Sequence, residues 1–326
     1  MPTDSEARVA VYIDFDNILI SRYDQIHGRG AFHSDKVRTL AADGRESKAR
    51  TRFTQATVDL GAIIDYASSY GSIVLSRAYA DWSVPAHAAY RDQLLARAVD
   101  LVQLFPTTRS LKNGADIRLS IDVVEDLFRL EDITHIVVVA GDSDYIALAQ
   151  RVKRLGRFMV GIGVAGSTSK SLAAACDEFA DYDALPGVEP VHIEQLEPDA
   201  PEPTPEQAQE IRAEAQEEAA KKPPRRRRRA TSESVAAGQD EVAMTVDQRG
   251  DAATGLLERA MRILHQKTDD EWLHANVVKE QMKRMDPVFN EKSLGHRSFS
   301  DFVTARGQLV DMREEGQARL LKLKAQ

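Results

Sequence analysis

Five short β-branched runs, VAVYIDF, SIVLSRAY, LVQLF, HIVVVAG and FMVGIGV, alternate along the first half of the chain with helical stretches such as TQATVDLGAIIDYASSYG and SDYIALAQRVKRLG. Strands separated by helices of this length imply βαβ units and a mostly parallel sheet. The unbroken apolar character of HIVVVAG suits a strand covered on both faces. The expectation is an α/β, doubly wound, Rossmann-like domain. The second helical stretch closes on Gly156, a residue suited to a helix C-cap.

The composition changes at Pro186. From there to about residue 250 the chain is rich in Pro, Glu, Ala and charge and nearly free of aromatics, so it cannot bury enough apolar surface to fold alone. Residues 186–250 are therefore expected to be a disordered linker between domains 1–185 and 251–326. The linker carries Arg225 to Arg229, a block that reads equally as a solvated tether or as a contact for a polyanion. Beyond it, ATGLLERAMRILHQ, ANVVKEQMKRM and SFSDFVTARG read as helices. QLVDMR and ARLLKL, joined by EEGQ, read as a small hairpin. Helices followed by a hairpin predict a second, smaller winged-helix α+β domain.

The whole chain of 326 residues carries a formal charge of −8, which provides no overall attraction for nucleic acid, so a polyanion site has to be local. The single cysteine, Cys176, excludes a disulfide framework and a Cys-based zinc site. The N-terminal residues lack the basic and apolar regions of a signal peptide, and no run of 18 apolar residues occurs, so no membrane span and a cytoplasmic location are expected.

The strand-like run VYIDFDN ends in acid. Period two places Tyr12, Asp14 and Asp16 on one strand face. Asp142 and Asp144, with Ser143 between them, follow the apolar run HIVVVAG, and Asp116 opens the helical stretch ADIRLSIDVVEDLF, whose Ile117, Ile121, Val124 and Phe128 are expected to face inward. Ligands of open α/β sheets bind beyond the carboxyl ends of the strands, where these acids fall. Asp116, Asp142 and Asp144 also read as helix caps. Asp14, ending a buried strand, reads instead as paired or coordinated. Converging carboxylates repel one another, and a hard cation with oxygen ligands, Mg²⁺ or Mn²⁺, relieves that repulsion. The eight histidines show no metal-ligand spacing, and His135, beside a buried strand, reads as structural.

The ordered set YIDFDN, KNGADIRLSID and VVVAGDSDYIAL followed by LGRFMVGIGV resembles the NYN domain in its LabA-like form, a branch of the PIN-like nuclease superfamily, over roughly residues 8–183. The resemblance implies a metal-dependent ribonuclease fold with an acidic pocket. It makes Asp14 the first metal-binding acid, Asn17 the polar residue after it, Asp116 the second acid, and Asp142 with Asp144 the last pair. Asp122 matches a further acid of the pattern, but six residues of helix turn it about 120° away from Asp116, which makes it a supporting residue. Asp16 stands where many relatives carry Gly and is read as broadening the pocket.

Residues 28–52 look like an insertion between the first strand and its helix. The segment carries Lys36, Arg38, Arg45, Lys48, Arg50 and Arg52 against three acids, and reads as a clamp for a phosphate backbone or as a solvated loop. Lys112 reads as a phosphate contact or as a loop lysine. An apolar strand ending in DFD also resembles the haloacid-dehalogenase-type phosphatases, in which the first Asp is a nucleophile, although Ile18 departs from the Thr or Val of that motif.

The C-terminal stretch, centred on FNEKSLGHRSFSDFVTA, resembles the OST-HTH (LOTUS) domain, with Phe299, Phe302 and Val303 inward. That resemblance implies RNA binding or a protein partner. Candidate contacts are Lys279, Lys283 and Arg284 on one helix and Lys292 and Arg297 before the next. Residues 251–326 hold 13 basic and 12 acidic side chains, a weak electrostatic footprint. Trp272 reads as core. The function expected from the whole sequence is a metal-dependent ribonuclease with a C-terminal RNA-recognition domain. The alternative is a non-catalytic RNA-binding regulator.

Overall fold

The first strand, β1 (Arg8–Asp14), is buried along both faces after its first residue and runs straight into helix α1 (Phe15–His27). The computed structural model describes residues 7–40, 47–105, 114–188, 246–268, 270–315 and 318–324. Residues 189–245 of the expected linker, with its arginine run, and Lys112 lie outside these residues, whereas 186–188 and 246–250 at the linker's two ends are described, the latter as helix.

After α1 come α2 (Ala31–Ser34), α3 (Lys48–Gln55), α4 (Leu60–Ser68), β2 (Ser72–Ala80), α5 (Pro85–Ala88), α6 (Arg91–Ala96), β3 (Asp100–Gln103) and α7 (Gly114–Arg129). Then follow β4 (His135–Val139), α8 (Ile146–Arg154), β5 (Phe158–Gly163), α9 (Lys170–Ala175) and β6 (Glu178–Asp181). The six strands form one sheet in the order β3-β2-β1-β4-β5-β6, and every neighbouring pair is parallel. Chain direction across the sheet reverses between β1 and β4, the switch point at which such sheets open a crevice. Val9, Val11 and Ile13 pack with α1 and α4 on one face, and Ala10 and Tyr12 with α7 and α8 on the other, which is the doubly wound arrangement expected. Gly156 follows α8 at φ +72°, the left-handed turn its glycine permits.

Several local expectations give way. Because α1 starts at Phe15, Asp16 lies in a first helical turn and shares no strand face with Asp14. The basic segment 28–52 follows α1 rather than preceding it. It builds α2, a 3₁₀ turn at Val37–Thr39 and the start of α3. In α7 the inward face is the other one. Leu119, Val123 and Leu127 are buried, whereas Ile117, Ile121 and Phe128 are more than half exposed. The reason lies in the strands beneath. The Tyr79 hydroxyl donates to Asp122 (3.0 Å) and the Tyr12 hydroxyl to Asp126 (3.0 Å), with Arg77 also on Asp126. Those bonds satisfy two acids on the sheet side of the helix and turn the isoleucines outward. Ile121→Ser is therefore expected to move the urea midpoint little, by less than about 0.5 kcal/mol. Leu127→Ala should cost about 2–4 kcal/mol. Equal losses would restore the original inward stripe.

The C-terminal part comprises α10 (Val246–Lys267), β7 (Leu273–His274), α11 (Ala275–Met285), α12 (Phe299–Thr304), β8 (Val310–Glu315) and β9 (Ala318–Leu323). Its antiparallel sheet has the order β7-β9-β8. Phe299, Phe302 and Val303 join Leu257, Met261 and Val278 in a separate core, as a winged helix requires. Trp272 does not join that core. Leu273 takes the inward position, and Trp272 stays half-buried under the Arg313 guanidinium, 4.4 Å from the ring centre.

The two folded parts belong to one compact unit. Helix α11 packs on α4, and Gln281 donates to Ser68 Oγ (3.0 Å) while Gln266 donates to the Ala184 carbonyl (2.8 Å). This contact explains why all nine residues of α4 are buried. Among the described residues no helix is long and apolar enough to cross a membrane.

Candidate functional site, a carboxylate pair at the sheet switch point

Asp14 ends β1 and is 3% exposed. Its carboxylate also caps α1, accepting from the Asn17 N–H at 3.2 Å. Capping is a role that a strand-ending acid does not have from the sequence pattern alone. The abrupt start of α1 supplies it. Its other oxygen accepts from the Tyr145 hydroxyl at 2.9 Å. Asn17 fixes the two sides of the crevice to each other, since its Oδ1 accepts from the Gly141 N–H at 3.0 Å across the switch point.

Asp116, in the first turn of α7, reaches the same place and is hydrogen-bonded to Asp14 and Tyr145. Burial raises the Asp14 carboxyl, and the Asp116 charge raises it further, to about 8. The bonds from Asn17 and Tyr145 offset only part of that rise. Asp116 is also raised, first by burial and then by the charges of Asp142 and Asp144, against its bonds to Tyr145 and Asp14. The Tyr145 phenol moves up for the same reasons, burial first and then the two acids. The arrangement is a pair of adjoining carboxylates, Asp14 buried and Asp116 half-buried, both raised above the ordinary carboxylate range.

Asp142 caps the short turn Ser143–Tyr145, accepting from the Asp144 N–H at 3.3 Å, with the Ser143 hydroxyl at 3.4 Å. Asp142 and Asp144 thus contribute charge beside Asp116. Among the described residues, no three His, Cys, Asp or Glu side chains stand close enough to hold one ion together. The four acids form an adjoining pair with two neighbours rather than a single closed cage. The donors are all oxygen, and Mg²⁺ is commonly held by one or two carboxylates with water and substrate phosphate completing its shell. Asp14 and Asp116 fit that mode of binding.

Asp122 turns away from the pocket to Tyr79 and to Arg118 (2.9 Å), as its helical offset requires. Asp16 is held low. Burial pushes its carboxyl up, but the bond to His87 and the charges of His87 and Arg38 outweigh that push. His135 is structural, its ring packed on Phe158 with Nδ1 2.8 Å from Thr134 Oγ1.

The basic candidates fare unevenly. Arg52 is bound to Asp35 and to the His27 carbonyl, and Arg50 is also engaged. Lys279 pairs with Glu291 at 2.6 Å, and Arg284 has partners of its own. Lys36, Arg38, Lys283, Lys292 and Arg297 are exposed. Two pocket residues escaped the sequence reading. Tyr145 is signalled only by its place directly after the GDSD acids. His87 carries no signal, because only the fold brings it to Asp16.

A doubly wound parallel sheet with acids gathered at its switch point defines a Rossmann-like α/β protein. The NYN domain model matches residues 8–183 and the OST-HTH/LOTUS domain model residues 255–321, so the chain belongs to the NYN domain family. NYN domains fall within the PIN-like nuclease superfamily, and OST-HTH/LOTUS is an RNA-binding domain. Among solved structures the chain is similar to a Vibrio parahaemolyticus protein of unknown function, VPA0982. The identity is 19% and the TM-score 0.41, over 56% of this chain and 96% of that one. No curated protein matches.

Proposed function

We propose that the chain is a metal-dependent ribonuclease hydrolysing RNA phosphodiester bonds, with the C-terminal domain supplying RNA recognition. The observation carrying this reading is the hydrogen-bonded pair of Asp14, buried, and Asp116, half-buried, both raised above the ordinary carboxylate range where a divalent cation would relieve their repulsion. Mg²⁺ or Mn²⁺, when bound, would stabilise charge on phosphate oxygens and lower the pKa of water. Asp14 and Asp116 would hold it, while Asn17 and Tyr145 keep Asp14 fixed. Asp142 and Asp144 add negative field on the other wall. Docking the C-terminal domain on α4 keeps bound RNA at high local concentration near the pocket. The reading places the protein in the cytoplasm and leaves the C-terminal domain open to a protein partner as well as RNA.

One observation favours the non-catalytic regulator. The described residues include no closed three-ligand set. The phosphatase reading departs from the family the chain belongs to, and Asp16, the second acid of the DFD run, is paired with His87 and Arg38. Labelled single-stranded and structured RNAs incubated with Mg²⁺, Mn²⁺ or EDTA separate the two remaining readings. Cleavage is expected only with metal. Asp14→Asn and Asp116→Asn are expected to lose about 10³-fold or more, corresponding to the several kcal/mol a metal ion contributes, while keeping RNA affinity. Metal-independent or absent cleavage in wild type, with RNA still bound, supports the regulator.

A further inference from the structure

We propose that Asp16 and the buried His87 form a pedestal that holds the Arg38 guanidinium at the rim of the carboxylate pocket, where it takes a backbone phosphate of the RNA. The inference rests on the ribonuclease reading for the identity of the substrate, but its geometry stands apart from the metal.

Arg38 comes from the basic segment 28–52, and its Nη2 donates to Asp16 Oδ2 at 2.9 Å. Asp16 lies two residues beyond Asp14, and its other oxygen faces His87 Nε2 at 2.6 Å. That second contact is close but falls short of ideal hydrogen-bond alignment. His87 has no solvent exposure. Its Nδ1 donates to the Asp81 carbonyl at 2.9 Å, and its ring lies edge-on to Phe15 and Trp82. Carbonyl and carboxylate are both acceptors, so the ring stands between two of them.

An ordinary surface ion pair needs none of this, since a water-exposed Asp can hold an Arg without a buried partner. Here a polar ring is buried behind the carboxylate, and the arginine in front remains 46% exposed at its side chain. Burying an imidazole costs free energy that no exposed pair would recover.

The arrangement answers two needs of a phosphate site. A phosphodiester approaching Asp14, Asp116, Asp142 and Asp144 meets repulsion, which a fixed cation at the rim offsets. A guanidinium has five donors in a rigid fork, so bonding one nitrogen to Asp16 leaves others for phosphate oxygens. Holding the side chain beforehand removes the ordering cost from binding.

The test uses the full chain with short single-stranded RNA. Affinity is measured against salt in the Asp14→Asn background, and KM and kcat in the wild-type background with Mn²⁺. Arg38→Ala is expected to weaken affinity and raise KM about tenfold, consistent with one charged hydrogen-bonded contact, with kcat within about twofold. The slope of log affinity on log salt should fall by about 0.7, the value for one phosphate of a single strand. Arg38→Lys should restore the slope without the full affinity. His87→Leu should loosen Arg38 and raise KM, whereas His87→Gln, which keeps an N–H toward Asp16, should return it. Unchanged slope and affinity in Arg38→Ala overturn the proposal even if RNA is cut. If no RNA is cut, the binding slope still decides it. If His87→Leu fails to fold, Asp16→Asn takes its place. A loss of kcat at constant KM in Arg38→Ala also overturns it, because that pattern belongs to the chemical step.

Discussion

Without metal, the wild-type protein is expected to lose stability progressively as pH rises from about 4 to about 8, relative to Asp14→Asn. The sign follows from Asp14, whose carboxyl is raised from 3.8 to about 8. A raised group binds its proton more tightly in the folded than in the unfolded chain, so its contribution is complete below the unfolded value and is lost as pH passes through the folded one. Each unit of the window is worth about 1.4 kcal/mol at most, so the difference grows to several kcal/mol by pH 8. Asp14→Asn removes the charge and should be the more stable protein at pH 8, with the two close to equal near pH 4. Mn²⁺ at pH 8 should restore wild type by taking the place of the proton and should leave the variant unmoved. Urea midpoints at pH 5, 7 and 8.5, with and without Mn²⁺, read all of this. Parallel curves for the two proteins would mean that Asp14 is not buried against Asp116. A metal response shared by the variant would move the ion elsewhere.

That experiment bears on a residue whose importance the sequence made plain and whose local role it did not. The alternation of apolar runs and helices was enough to predict the parallel sheet, and the position of acids after two of those runs located the crevice. Missing was the abruptness of the β1 to α1 junction. No strong breaker separates Asp14 from Phe15, and a period-two reading carried the strand onward to Asp16. The consequence was a shared face for Asp14 and Asp16 that the helix abolishes, sending one acid to Tyr145 and the other to His87.

Helix α7 shows a different limit. Its sequence offers two apolar stripes, Ile117, Ile121, Val124 and Phe128 or Leu119, Val123 and Leu127, and periodicity alone cannot rank them. The choice is made by Tyr12, Arg77 and Tyr79 on the strands, which supply partners for Asp126 and Asp122 and let acids face the sheet. Such partners are distant in sequence. The β6 strand, EFAD, was missed because four residues with two acids carry little strand signal. By contrast, LGAIIDYAS in α4 is apolar around most of its circumference, a pattern that asks for cover on more than one side. It could have announced the docking of α11.

Asp65, the one acid in that helix, carries the second large prediction. It is 1% exposed and sits between Arg97 Nη1 at 2.8 Å, from the NYN part, and Arg259 Nε at 3.6 Å, from α10. Arg97 also donates to the Met285 carbonyl at 3.2 Å, so a single guanidinium ties α4, α6 and α11 together. Burial raises the Asp65 carboxyl, and the two arginines offset only part of that rise. Removing one partner leaves a buried charge undercompensated, so Arg97→Met is expected to cost about 3 kcal/mol at pH 8. The loss of a cation lifts the folded-state value of Asp65 further above its unfolded one. By the same linkage as for Asp14, the deficit of the variant should shrink as pH falls toward 5 and the carboxyl takes up a proton. Adding Asp65→Asn to Arg97→Met should recover part of the loss at pH 8, because the uncompensated charge is then gone. A deficit independent of pH would assign the cost to lost packing of the arginine stem. A deficit that neither pH nor the second substitution relieves would remove Asp65 as the charge joining the two folded parts.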